Sequence, residues 1–431
     1  MPAHAALPRT LGPWQATAVV IGTVVGVGIF FTPSLVARAA GSIPVAMGLW
    51  VLGGLTATLG GLTLAAFSRT YRDTGAHYQI LRDAWGPLAG FVFVGCQLTA
   101  IQTGALAIIG HIFATNLLRA AGVGATPAMV TGLACFALFG LALANAAGVR
   151  VGAGLQSATV VAKLGVLVGV VLAALLVTPA PAIPADPAPT TLLAGLLPAM
   201  FAYSGWQQVT WIAGEVKDPE RTLPRAIVGG LAVVVVVYLA AVAAWFTVLG
   251  YDGVAGSTSL AYDAGAALAG PTGGRLAAGA VALSAFGVLN ALFLTAPRLG
   301  YALARDGQFP AVFGRAHPRF GTPWAAIGLL ALGSMGLLMA VGREGLGPLL
   351  AWQVVVNAVF FCLTGLALVR LLRAERRWEA AGWAAIGFAA LEASAVVAAL
   401  FDASVRAAAV TGLVWVGVVA GVYAVGFRRG R

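Results

Sequence analysis

Apolar segments of 18 or more residues recur along the whole chain, and no other feature limits its fold as tightly. Each is long enough to cross a hydrocarbon core of ~30 Å. In lipid no water pairs with the backbone, so such segments fold as helices that satisfy their own hydrogen bonds. Only 9% of residues are charged, against about a quarter in a soluble domain. The expected class is an all-α polytopic membrane protein whose surroundings are a lipid bilayer. The first apolar run, from about Trp14, is too long and has too many successors to be a cleaved signal peptide.

The segmentation predicts twelve transmembrane helices, at 14–40, 43–67, 87–118, 126–146, 153–178, 190–213, 224–249, 274–304, 323–341, 345–371, 380–400 and 406–427. The longer connections are 68–86, the Pro-rich 179–189, 214–223, 250–273 and 305–322. No soluble domain or linker interrupts them, so residues 1–431 read as one membrane domain. The net charge of +11 raises the question of nucleic acid, but its distribution answers it: most of the charges lie between spans, where they report topology. With the N-terminus in the cytoplasm, 19 of the 25 basic residues fall on the inner side. Five fall outside (Arg38, Arg119, Arg275, Arg343 and Arg406), and Lys163 lies within a span. That bias predicts both termini in the cytoplasm. Cys96, Cys135 and Cys362 all sit in spans, so no disulfide is expected, and the four scattered histidines have no metal-ligand spacing.

Two spans are poor material for continuous helices. The first contains Gly22-Thr23-Val24-Val25-Gly26-Val27-Gly28-Ile29-Phe30-Phe31-Thr32-Pro33, and the sixth contains Phe201-Ala202-Tyr203-Ser204-Gly205-Trp206 near its middle. A helix broken in lipid is tolerated where the freed backbone faces protein or a water-filled cavity. Paired interruptions five spans apart point to an inverted-repeat transporter with its substrate at the breaks, and on this topology the two spans run antiparallel. At the first break, Thr32 is the expected cap of the second half-helix and Pro33 its first residue. The N–H groups of Val27, Gly28 and Ile29 then suit a carboxylate at the positive end of that half-helix. The carbonyls of Thr23, Val24 and Val25 suit an ammonium. Gly22 and Gly26 equally form a small-xxx-small pair for helix packing. A dinucleotide fingerprint is excluded, because Gly26-Val27-Gly28 lacks the third glycine and the preceding strand, so no cofactor is expected. At the second break Gly205 lets the backbone turn, while Tyr203 and Trp206 wall a cavity or belong to an aromatic belt.

Lys163 stands about ten residues into its span, ~15 Å deep. A lysine there is costly and is a functional candidate. With no acid at that depth in the first ten spans, its expected acceptors are carbonyls of the first break and the hydroxyl of Ser284. It serves either as a fixed cation bracing three helices or as a group that takes up and releases a proton. Glu392, the one acid well inside a span, lies outside the first ten helices and reads as a packing or oligomer contact. Gln97, Thr99, Gln102 and Thr103, with Ser284 and Asn290, read equally as polar glue between helices or as ligand contacts.

Together these stretches resemble the amino acid–polyamine–organocation superfamily, most closely bacterial permeases similar to the L-type (light-chain) transporters. The resemblance rests on Gly26-Val27-Gly28-Ile29-Phe30 with Pro33, and on Phe201 to Trp206 followed by Gly214-Glu215-Val216-Lys217-Asp218-Pro219-Glu220-Arg221. It rests further on Asn290, Ala296-Pro297-Arg298-Leu299 and Ala304-Arg305-Asp306-Gly307, and on His317-Pro318-Arg319-Phe320-Gly321-Thr322-Pro323-Trp324. It implies the leucine-transporter fold: two inverted five-helix repeats (14–178 and 190–371) and two accessory helices (380–427). It also implies an amino acid bound at Thr23–Ile29 and Phe201–Trp206. Lys163 would replace a sodium ion that related families hold, with Gly22 and Val25 as carbonyl partners. The chain departs from the family pattern at Ala66, at Arg72, at Gly75-Ala76-His77-Tyr78 and in the single acid Glu215.

The function expected is sodium-independent transport of small or medium neutral L-amino acids across the cytoplasmic membrane by alternating access, through exchange or proton coupling. The alternative substrates are cationic amino acids, polyamines or another organic amine. A membrane-embedded enzyme needs a paired acid, a Ser/His pair or a metal cluster at depth, and His111 and Glu392 are isolated. A channel lacks its charged ring.

Overall fold

The computed structural model of the protein describes residues 7–176, 192–341, 346–376, 378–403 and 405–426. The Pro-rich connection 179–189 lies outside the described residues, as do Arg343, Arg377, Arg428, Arg429 and Arg431. The helices, in order, are α1 (Pro13–Val24), α2 (Thr32–Ala40), α3 (Ile43–Phe67), α4 (Ala76–Trp85), α5 (Pro87–Cys96), α6 (Gln102–Ala120), α7 (Pro127–Ala146) and α8 (Val149–Ala174). Then come α9 (Leu192–Ala202), α10 (Pro219–Gly256), α11 (Leu260–Thr295), α12 (Pro297–Arg305), α13 (Trp324–Val341), α14 (Leu346–Ala374), α15 (Ala380–Phe401) and α16 (Arg406–Gly426).

Among the described residues ten helices are long and apolar enough to cross a membrane. Two expected spans fall short of that length. Span 190–213 is divided between α9 and a 3-10 helix, Trp206–Glu215, and span 323–341 offers the shorter apolar helix Trp324–Ala340. Span 87–118 is one run of α5 and α6 joined by a π-helical turn at Gln97–Ile101.

Two connections are more helical than their composition suggests. Residues 250–273 are not a loop. Helix α10 continues through Gly250, at φ 68°, to Gly256, and α11 starts at Leu260, kinking at Ala269 and Gly270. Gly250 and Gly270 sit at the bends, Asp252, Gly253, Asp263 and Gly265 are taken up within the helices, and Leu260, Ala261 and Ala264 give α11 a face that is buried. Within 68–86, α4 is a short helix that buries His77, Tyr78 and Leu81 on one side.

Hydrogen bonds and ion pairs gather the connections into two faces. On one face the N-terminal segment pairs with the turn after the 3-10 helix: Thr10 and Leu11 donate to the Glu215 carbonyl at 2.9 Å, and Lys217 donates to that of Leu11 at 2.8 Å. Arg72 pairs with Glu220 at 3.0 Å, Arg82 pairs with Asp306, and Arg370 donates to the Ala84 carbonyl. This face carries most of the described basic residues that lie between helices. On the other face Arg119 donates to Ser259 and Tyr251 to the Ala37 carbonyl.

Candidate functional site

Helix α1 stops because its next residues cannot continue it. Val25 closes the last turn on Ile21 and then departs to ψ 79°, and Gly26 turns tightly onto Val24 at 2.6 Å. Regular bonding resumes with Phe30 donating to Val27. The N–H groups of Val27, Gly28 and Ile29 fall in the gap between those two bonds. Thr32 is not the cap expected of it. It is already the first residue of α2, and its hydroxyl donates backwards to the Gly28 carbonyl at 3.0 Å. The hydroxyl thereby satisfies a carbonyl of the broken stretch instead of an N–H of the new helix.

The second break spans Tyr203 to Gly205, with Gly205 at φ 117°, a conformation that L side chains rarely adopt. The two breaks touch. A methyl group on Gly205 would lie 2.6 Å from the Thr23 carbonyl oxygen, and one on Gly28 would lie 3.1 Å from the Ala202 Cα. Glycine is needed at both positions because two backbones cross there with no room for a side chain.

A cavity of about 120 Å³ opens at this crossing. Of the residues singled out in the sequence, Thr23, Val24, Gly26, Val27, Gly28, Phe201, Ala202, Ser204 and Gly205 line it. Val25, Ile29, Tyr203 and Trp206 stand behind that lining. Tyr203 packs on Trp50 and Tyr238, and Trp206 stacks on Phe361 at 5.6 Å with Phe388 against its edge. Phe31 and Phe201, 6.2 Å apart, line the cavity directly.

Lys163 is fully buried and does not line the cavity. Its ammonium donates to the Gly22 carbonyl at 2.7 Å. The other carbonyls at the end of α1 have their own donors. Tyr238 reaches Val24 at 2.7 Å, and Ser284 reaches Val25 at 3.4 Å. Gly287 of α11 lies close behind the ammonium, where an added methyl would be 3.4 Å from Nζ. Lys163 therefore ties α8 to the broken end of α1 beside α11.

Of the polar residues on the third span, Gln102 lines the cavity. Gln102 donates to Gln97 at 2.8 Å, and Gln97 donates to Asn357 at 3.0 Å, so the α14 part of the wall is what sequence reasoning did not name. The π-helical turn sets the register that lets residues five apart pair in this way. Gln353, Asn357 and Phe361 of α14 line the cavity, and so does Glu392 of α15. Glu392, expected as a packing or oligomer contact, lies on α15, which packs against α3 and α14 and whose inward face reaches the cavity.

Glu215, at the end of the 3-10 helix that follows the second break, forms an ion pair with Arg298 of α12, with Nε–Oε1 2.7 Å and Nη2–Oε2 3.1 Å and both side chains fully buried. Tyr78 donates to Asp306 at 2.8 Å, and burial with that bond pushes its phenol above the ordinary value.

A family model for amino acid permeases matches residues 11–425. The chain belongs to the amino acid permease family. Among proteins similar to this permease, the serine/threonine exchanger SteT of Bacillus subtilis (strain 168) is 27% identical over 86% of each chain. The Asc-type amino acid transporter 1 of Mus musculus is 31% identical over 78% of this chain and 66% of its own. The large neutral amino acids transporter small subunit 2 of Homo sapiens is 28% identical over 83% and 69%. The permease is a multi-pass membrane protein and not an enzyme.

Proposed function

We propose that the protein moves small or medium neutral L-amino acids across the cytoplasmic membrane by alternating access without sodium, as an exchanger or a proton-coupled permease. The observation that carries this reading is the crossing of two non-helical segments at one cavity, with the ammonium of Lys163 on the Gly22 carbonyl beside it. A zwitterion suits such a crossing. The N–H groups of Val27 to Ile29 at the start of the second half-helix attract the carboxylate. The carbonyls of Thr23 to Val25 attract the ammonium; Val25 keeps a lone pair beyond its Ser284 donor, whereas Val24 already accepts from both Tyr238 and Gly26 and contributes least. Lys163 supplies the fixed charge that a metal ion would otherwise bring to the end of α1. The relatives' names, for serine and threonine exchange and for large neutral amino acids, support a neutral substrate.

The same reading includes twelve spans, residues 14–178 and 190–371 as inverted five-helix repeats, 380–427 as accessory helices, and both termini in the cytoplasm. The charge difference between the two faces supports that orientation. The testing experiment is uptake by proteoliposomes, preceded by a thermal-shift screen of the twenty amino acids. Stabilisation by neutral amino acids and sodium-independent uptake are expected. A strict need for internal amino acid assigns exchange, and accumulation driven by a proton gradient alone assigns coupling. Stabilisation by arginine, lysine or polyamines alone would overturn the neutral assignment.

A further inference from the structure

Glu392 has no role in the reading above. Among the described residues that line the cavity it is the one titratable side chain. It stands in the middle of α15, ~18 Å from the first residue of that helix. It is 6% exposed, and among the described residues no cation pairs with it and no donor is bonded to it.

The charged groups of the surrounding helices are engaged elsewhere. Helix α15 packs against α3, α9, α14 and α16. Helices α3 and α9 carry no titratable residue. On α14, Arg370 donates to the Ala84 carbonyl and Arg373 lies over Trp378, both toward the basic face. On α16, Arg406 donates to the Leu400 and Phe401 carbonyls at the far end of α15, and Tyr423 packs on Phe91. Cys362 of α14 is the titratable group near the carboxyl, and it brings no positive charge. Lys163 is committed to the Gly22 carbonyl, outside the cavity lining. One turn away on α15, Phe388 packs against Trp206 and Phe361, so the wall beside the carboxyl is aromatic.

An ionised carboxyl so placed is costly when dry, and its protonated form much less so. Water removes the difference, because a hydrated carboxylate needs no cation. An amino acid that fills the cavity displaces that water. The cavity therefore closes around substrate at least cost when Glu392 carries a proton, and closes empty, with water inside, when it does not.

We propose that Glu392 is the proton-binding site of the transporter and that one proton travels with each amino acid. With the cavity open outward, the carboxylate takes a proton from the outer water. With the cavity open to the cytoplasm, the acid returns that proton to the inner water. The zwitterion adds no net charge, so each cycle moves one positive charge inward, while Lys163 stays the fixed cation on Gly22. This rests on the amino acid transport proposed above and chooses proton coupling between its two modes.

The test uses proteoliposomes of the full chain, with the membrane potential clamped at zero and alanine, serine and leucine supplied in turn. Substrate entry should acidify the lumen. With one proton per substrate, net flux should vanish when a roughly tenfold outward substrate gradient opposes one pH unit directed inward. Glu392→Gln fixes the group in a neutral form of similar shape. It should lose proton-driven accumulation roughly tenfold or more beyond any loss of counterflow between internal and external amino acid, and its reversal point should no longer move with pH. If Glu392→Gln cannot be recovered folded, Glu392→Met carries the same expectation. A reversal point that still follows pH in either variant overturns the proposal. So does an unaltered protein that exchanges amino acids without moving protons. Equal losses of accumulation and counterflow would make Glu392 a substrate contact and also overturn it. Failure of the unaltered protein to carry any of the twenty amino acids instead overturns the transport reading on which this one rests.

Discussion

Glu215→Gln should open the cavity toward the basic face. The ion pair with Arg298 is two-pronged and fully buried, and the remaining nitrogen of the guanidinium, Nη1, already lacks a partner. Removing one member of a buried pair costs about 3–5 kcal/mol, because the survivor stays charged and dry. A carboxamide keeps one accepting oxygen and offsets about 1 kcal/mol of that. The closed state therefore loses about 2–4 kcal/mol, while a state open to that face hydrates Arg298 and loses little. At ~1.4 kcal/mol per decade, the population open to the basic face rises ~30-fold to ~1000-fold. The assay places a single cysteine at Ser204, which lines the cavity, with Cys96, Cys135 and Cys362 replaced by alanine. A membrane-impermeant maleimide is then added to each side of oriented vesicles. Labelling from the basic side should accelerate by at least the lower of those factors, and exchanging the charges (Glu215→Arg with Arg298→Glu) should slow it again. Equal labelling rates with and without Glu215→Gln would refute the gate.

Three further outcomes are expected. Gly205→Ala should abolish uptake, since it puts a methyl 2.6 Å from the Thr23 carbonyl oxygen at a positive φ, and a surviving transport rate would refute the close crossing. Lys163→Ala should cut uptake by tenfold or more with or without a proton gradient, because the Gly22 carbonyl loses a charge-assisted bond usually worth about 1.5–3 kcal/mol; normal uptake would remove Lys163 from the mechanism. Burial holds the His77 imidazole well below its ordinary value, at about 3. From pH 6.5 downward the unfolded chain takes up a proton there that the folded chain refuses, so stability should fall by up to ~1.4 kcal/mol per pH unit until about pH 3. Melting temperatures of purified protein should show this acid-side slope, and His77→Gln should flatten it.

The breaks were legible because glycine and proline act locally. Gly26, Gly28, Gly205 and Pro33 interrupt a helix wherever it sits in the fold. Lys163 was legible because depth in a span follows from residue counting. The partners of these groups are tertiary facts. Counting cannot tell that Tyr238 claims the Val24 carbonyl or that Thr32 turns back to Gly28. That Glu392 reaches the cavity is a tertiary fact of the same kind: its place in the chain says nothing about which helices its neighbours belong to. In 250–273, residues that elsewhere mark loops mark only bends, because the apolar face between them has a surface to cover.

The pairing of Leu11 with Val216 makes the N-terminal segment a built-in gauge of the transport cycle. Three backbone hydrogen bonds join it to the chain around Glu215, the partner of Arg298, and Leu11 is 1% exposed. If the transport cycle parts Glu215 from Arg298 and moves the 3-10 helix, those bonds should break together, and the amides of Thr10, Leu11 and Lys217 should exchange with solvent as often as that opening occurs. Their hydrogen-exchange rates then measure an opening equilibrium directly, in unlabelled protein, with and without substrate. A tag fused close to Leu7 would load that same latch, so the kinetics of a tagged protein should be compared with those of one tagged at the other end.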